Sequence, residues 1–201
     1  MYDLLVKAAI GPVDGPWWNV TGPGAFSDPD FIVAGCATDG ACEPGTANPL
    51  PPLTQLQQRT QFSMWCILAA PLIIGSDIRA MDAYTLATLG NADAILINQD
   101  PIAAIPRLLN GSSTQGNPSG AVWARDMENG DTAVALLNLG HTPLVLGLDL
   151  SQIGWPAGAK GRVLDVWTKE VRSVASAAYS DSVPPFSATL LRFMPPAPKT
   201  Q

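Results

Sequence analysis

Asp28 and Asp30 stand one residue apart around Pro29, inside the run Gly22-Pro23-Gly24-Ala25-Phe26-Ser27-Asp28-Pro29-Asp30-Phe31. Pro29 fixes its own φ and pushes Asp28 into an extended conformation, so the carboxylates are expected to be held rigidly. In extended geometry residues i and i+2 face the same way, which would aim both at one place. Two carboxyl groups can divide a displacement reaction, one attacking a carbon while the other donates and then takes back a proton. That chemistry needs them about 5–5.5 Å apart on opposite sides of the bond that breaks. Neighbours on one strand approach from the same side, so this pair is not expected to form a catalytic dyad. The plain alternative is an Asp-Pro-Asp turn closed by an Asx cap.

Other reactive side chains have simpler expected roles. His141, the single histidine, follows Asn138-Leu139-Gly140 in a turn, where an exposed loop histidine outweighs a Ser-His-Asp triad. Asp77 and Arg79 should pair or cap locally, and Asp100-Pro101 should turn the chain. One histidine and no CxxC give no metal-ligand set, and no cofactor is expected. Most of the six tryptophans should be core, with Trp17 and Trp18 the best candidates for an exposed stacking face. Cys36 and Cys42 flank a polar loop and can close a disulfide in an oxidising compartment, whereas Cys66 is expected as a buried free thiol.

The elements that position these residues follow from patterning. The chain has 201 residues, 47% of them hydrophobic and 14% charged, with a net charge of −6. That supports one large or two small domains, and without a basic patch it makes nucleic acid an unsuitable partner. The longest apolar run, Met64 to Ile74, is broken by Pro71 and too short to span a bilayer, so no membrane partner is expected. Asn19-Val20-Thr21 and Asn110-Gly111-Ser112 permit N-glycosylation. Tyr2 to Ile10 reads as the last turns of a helix stopped by Gly11 and Pro12, without a signal-like pattern, so the chain is expected to begin inside a domain. Thr54 and Gln57 have capping-box spacing before a helix of about four turns, in which Leu56, Phe62, Trp65, Leu68 and Ala69 fall near one face. Leu72-Ile73-Ile74 suits a parallel strand covered on both faces, with Asp77 just beyond its carboxyl end. Asp82 and Gly90 bracket a short helix over Ala83 to Leu89, and Ala94 to Ile97 forms a further apolar run. Composition makes 107–119 a linker. Beyond it the period becomes two, with strands at Ala121–Arg125 and Thr132–Asn138 joined through Glu128-Asn129-Gly130-Asp131. Further strands are expected at Leu144–Leu150, Arg162–Trp167, Glu170–Val174 and Ser187–Phe193, as in an antiparallel sandwich.

Four separated motifs occur in order: Ser27-Asp28-Pro29-Asp30-Phe31, Gln57 to Trp65, Ala69-Ala70-Pro71-Leu72-Ile73-Ile74-Gly75-Ser76-Asp77-Ile78-Arg79, and Asn98-Gln99-Asp100-Pro101. Together they resemble the α-galactosidase (melibiase) family of retaining glycoside hydrolases, family 27, from about Pro23 to Phe193. The resemblance implies α/β plus all-β architecture: the last two β/α units of a (β/α)8 TIM barrel followed by an antiparallel β-sandwich. The implied domains are an incomplete barrel portion at 1–106, a linker at 107–119, the sandwich at 120–195 and a tail at 196–201. It further implies hydrolysis of terminal α-galactosides with retention, with Asp30 hydrogen-bonding the sugar, Phe31 touching it where the family has methionine, and Asp28 buttressing the turn. Phe26 and Ser27 replace the family's Trp-Asn. The family's nucleophile, in a Lys-Tyr-Asp motif, and its acid/base aspartate have no counterpart here, so no catalytic residue is assigned and the isolated chain is expected to be inactive without the N-terminal barrel portion. The parent would enter the secretory pathway, and the family admits homodimers. The competing readings are an α-N-acetylgalactosaminidase fragment, a non-catalytic sugar-binding sandwich using an exposed aromatic such as Trp155, and a fragment with no independent function. Two barrel units alone would leave an uncovered apolar flank, prone to aggregation or to pairing with another chain.

Overall fold

The computed structural model describes residues 22–36, 52–111 and 120–195. Trp17, Trp18, the Tyr2–Ile10 segment, the Asn19 sequon and Cys42, with its expected bond to Cys36, lie outside the described residues.

The first helix, α1 (Gln55–Ile67), begins where its cap was legible: Gln57 N–H donates to Thr54 Oγ1 at 3.3 Å and Thr54 N–H to Gln57 Oε1 at 2.9 Å. Two orphan donors of the first turn are thereby satisfied reciprocally. The expected single apolar face is not observed. Leu56 is exposed, while every residue from Thr60 to Ile67 is buried. The helix runs through the centre of the molecule, and its polar residues are satisfied inside: Thr60 and Ser63 hydroxyls donate to the carbonyls of Leu56 and Arg59. A 3₁₀ turn (Ile78–Ala80) and two short helices follow, α2 (Ala83–Leu89), capped by Asp82 and ended by Gly90, and α3 (Ala92–Asn98), capped by Asn91. The apolar run at Ala94–Ile97 is therefore helical, with Ala94 and Ile97 turned to the core.

Ile32 and Ile74 form a parallel bridge, with Ile32 N–H bonded to the Ile73 carbonyl at 2.8 Å and Gly75 N–H to the Ile32 carbonyl at 2.9 Å. The expectation that Leu72–Ile74 would be covered on both faces fails, since Ile73 and Ile74 are 46% and 41% exposed. No other strand of the described residues lies beside this bridge, so water reaches what a full parallel sheet would cover.

Eight antiparallel strands make up the remainder: β1 (Arg107–Gly111), β2 (Gly120–Asp126), β3 (Thr132–Asn138), β4 (Leu144–Asp149), β5 (Gly161–Asp165), β6 (Val171–Val174), β7 (Ala178–Val183) and β8 (Ser187–Met194). They form a six-stranded sheet in the order β1-β2-β3-β8-β5-β6 and a two-stranded sheet of β4 and β7. Arg107–Gly111, expected as the start of a linker, is a strand that pairs with β2, and Arg107 bridges Asp126 across the strands. The strand β7, Ala-Tyr-Ser-Asp-Ser-Val, was not legible: its polar residues alternate at the surface while its backbone is held by β4.

The six-stranded sheet is covered on both sides, which explains β3. All its residues are buried; Ala133, Ala135 and Leu137 join Phe62 and Trp65 in the core under α1, while Val134 and Leu136 join Leu148, Val183 and Phe193 in the core under β4 and β7. Alanine on the helix side allows close approach, and larger side chains fill the sandwich side.

Candidate active-site segment

Asp30 is not extended. Its φ is 82°, an uncommon conformation for a residue with a Cβ, so the two aspartates do not project in parallel as an extended Asp-Pro-Asp would make them. Asp28 instead turns inward on the chain: its Oδ1 accepts the Asp30 N–H at 3.0 Å, an Asx turn. Asp30 Oδ1 in turn accepts the Phe31 N–H at 2.7 Å, and Oδ2 has no partner among the described residues. Both Asp30 and Phe31 are exposed, the latter by 53%. The segment thus presents an exposed carboxylate and an exposed aromatic side chain on consecutive residues. A polyhydroxylated ligand could use both at once.

This turn is held from beneath by α1. The Trp65 indole N–H donates to the Asp30 carbonyl at 3.0 Å. The Gln61 amide donates to the Phe31 carbonyl at 3.3 Å and accepts the Val33 N–H at 3.1 Å. Trp65 is core, as expected for most of the tryptophans, but its polar edge and the role of Gln61 were missed. Their i,i+4 spacing on one helix was the available signal. On the other side lies Gly75: a Cβ there would come within 2.9 Å of Phe31 Cβ, so glycine lets the second segment approach the ring.

Asp77 lies three residues beyond the bridge at Ile74, whereas Asp30 lies two before its partner Ile32, so in parallel register the two carboxylates are not brought together. Asp77 caps the 3₁₀ turn and forms a two-pronged pair with Arg79, Oδ2 to Nη2 at 2.7 Å. The Arg79 side chain, then its N–H, hold the Asp77 carboxyl down at about 2. His141 stacks edge-on with Phe186 at 4.7 Å in an exposed turn. Trp155 is only 5% exposed, packed against Phe193, so it presents no stacking face to a sugar. Cys66 is buried and free, and desolvation pushes its thiol up. Among the described residues no group of three or more His, Cys, Asp and Glu could hold a metal ion, and no helix is long and apolar enough to cross a membrane.

Residues 16–100 match the family profile described as alpha galactosidase A, and residues 118–193 match the alpha galactosidase C-terminal beta sandwich domain. The chain belongs to the α-galactosidase family, glycoside hydrolase family 27. Its order of an α/β portion followed by a β-sandwich is the order of those two family profiles. An α-galactosidase from Cyamopsis tetragonoloba is 29% identical over 162 residues, which are 81% of this chain and 35% of that protein. Alpha-galactosidase D from Emericella nidulans is 32% identical over 168 residues, 84% of this chain and 23% of its own length. The crystal structure of a family 27 β-L-arabinopyranosidase from Geobacillus stearothermophilus has the same fold over 100% of this chain and 42% of its own, with a TM-score of 0.79 at 22% identity. The chain therefore spans well under half the length of the relatives cited here.

Proposed function

We propose that this chain is the sugar-holding, C-terminal portion of a retaining α-galactosidase. Asp30 accepts hydrogen bonds from hydroxyls of a terminal α-galactosyl group, and Phe31 packs on the apolar face of the ring. The observation that carries this reading is the arrangement of Asp30: the residue is exposed, one carboxylate oxygen accepts the Phe31 N–H, the other has no partner among the described residues, and the next residue, Phe31, is exposed as well. A carboxylate accepts from two adjacent hydroxyls and gives charge-assisted bonds, which suits a polyol. Asp28 supports the turn. The ring features addressed here are common to α-galactosides and α-N-acetylgalactosaminides.

In this reading retention uses two further carboxyl groups, a nucleophile and an acid/base, on the barrel portion that precedes this one in the family. The isolated chain binds but does not turn over. The last two β/α units correspond to the segments around the Ile32–Ile74 bridge with α1 and α2. The barrel portion then covers 1–106, the sandwich extends from β1 to 195, and 196–201 is a tail. Full-length parents would be secretory, in keeping with the two sequons, and could pair as homodimers.

The test is substitution of Asp30 in the complete gene product. Asp30→Ala should weaken galactose binding, read by calorimetry, by about tenfold or more, the worth of one or two charge-assisted hydrogen bonds. Unchanged affinity would overturn the reading.

A further inference from the structure

Asp30 is kept at a positive φ of 82°, uncommon for any residue with a Cβ though better tolerated by aspartate than by most, and such conformations persist where the surroundings over-determine them. The peptide groups on both sides of Asp30 are engaged. Its N–H is bonded to Asp28, its carbonyl to the Trp65 indole, and the Phe31 carbonyl to the Gln61 amide. Rotating Asp30 towards negative φ would break these bonds. Trp65 and Gln61 lie one turn apart on α1, and at 0% and 2% exposure neither has another conformation open to it. The end of the helix that carries Trp65 is itself clamped: Asn98 Nδ2 donates to the carbonyls of Trp65 and Ala70 at 3.2 and 2.9 Å, and buried Arg125 of β2 donates to the Cys66 carbonyl at 2.9 Å. The Asp30 carboxylate is therefore aimed by a relay that begins in the sandwich and ends at the Trp65 N–H.

We propose that Trp65 and Gln61 are positioning residues for the sugar contact, fixing where the Asp30 carboxylate and the Phe31 ring point without touching the ligand themselves. This rests on the reading of Asp30 as a sugar contact. Trp65→Phe removes the indole N–H while keeping an aromatic ring in the core, and Gln61→Met removes both polar contacts at similar volume.

The experiment measures galactose affinity and Tm of the complete gene product for Trp65→Phe, Asp30→Ala and the double variant. Trp65→Phe should raise the Kd by about five- to twentyfold, corresponding to loss of one well-aimed contact. In the Asp30→Ala background it should add less than about twofold, because no carboxylate remains to be aimed, while Tm falls equally in both backgrounds. An equal loss of affinity in both backgrounds would overturn the positioning role, since the effect would then come through the fold. If Asp30→Ala leaves the Kd unchanged, the sugar-contact reading fails, and a crystal structure of Trp65→Phe decides the positioning role separately. Asp30 φ moving to negative values upholds it, and φ staying near 82° overturns it. Should Trp65→Phe not fold, Gln61→Met carries the same comparison.

Discussion

Asp30 and Asp77 are both exposed aspartates beside the Ile32–Ile74 bridge, and they differ in what holds their carboxylates. Asp30 has one oxygen without a partner among the described residues, on a backbone of positive φ, whereas both oxygens of Asp77 are taken by Arg79. Arg79 is 86% exposed at its side chain, so solvent screens the pair and its contribution at neutral pH is small. The Asp77 carboxyl is lowered from 3.8 to about 2, and a lowered folded-state value gives stability that is present above the unfolded value and lost as pH falls through the folded one. Asp77→Asn should therefore leave the urea midpoint at pH 7 almost unchanged and remove one titrating group from the stability curve between about pH 4 and pH 2. Urea titrations across that range check it; a large drop at pH 7 would mean that Asp77 does more than pair locally.

Between elements, the decisive contact is made by Arg125. It is fully buried on β2, and its guanidinium reaches the end of α1 at the Cys66 carbonyl. Burial lowers its pKa, opposed first by Asp100, whose carboxylate accepts the Glu128 N–H of the β2–β3 turn at 3.1 Å. Helix and sheet are thus joined by a charge whose removal strands partners inside the protein. Arg125→Ala should cost about 3 kcal/mol, from the carbonyls of Cys66 and Asn98 losing a charged donor and the buried Asp100 carboxylate losing a nearby cation. Chemical denaturation measures this, and a loss below about 1 kcal/mol would show that water replaces the guanidinium. Trp167 adds a second joint, donating its indole N–H to Ser63 of α1 at 3.0 Å while its ring lies beside the Arg59 guanidinium.

For the molecule as a whole, one group of exposed apolar side chains lies around the parallel bridge and the segments that flank it. Phe26, Phe31, Ile73, Ile74 and Ile78 are 41–63% exposed. Phe31 has a ligand-facing role in the proposal, but isoleucines at this exposure have none, and the bridge itself leaves backbone edges open. The 201-residue chain expressed alone should bind a hydrophobic dye and associate with rising concentration, and Ile74→Ser with Ile78→Ser should reduce both. Fluorescence and sedimentation are the measurements. A monomeric wild type without dye binding would mean that residues outside the described set cover this flank.

Local rules read from the sequence determined the elements whose signals are contained in a few neighbouring residues. The Thr54–Gln57 capping box, the Asp82 and Gly90 bounds of α2, and the hairpin through Asn129-Gly130 all formed where spacing placed them. Gly130 takes the positive φ that the turn requires. The four ordered motifs likewise identified the family, because motif order survives where overall identity is low. What only the tertiary structure decided depends on partners far along the chain. Strand β7 exists because β4 offers it hydrogen bonds, and β1 because β2 does, so neither needs a strong pattern of its own. The single apolar face expected of α1 is lost because the helix is enclosed from Thr60 onward while its first turn, with Leu56, faces water. The backbone of Asp30 turned away from the extended form because Asp28, Gln61 and Trp65 supply more hydrogen bonds to the turned form, two of them from about thirty residues away. A chain read locally cannot contain that competition, since the helix that settles it is assembled only when the core closes.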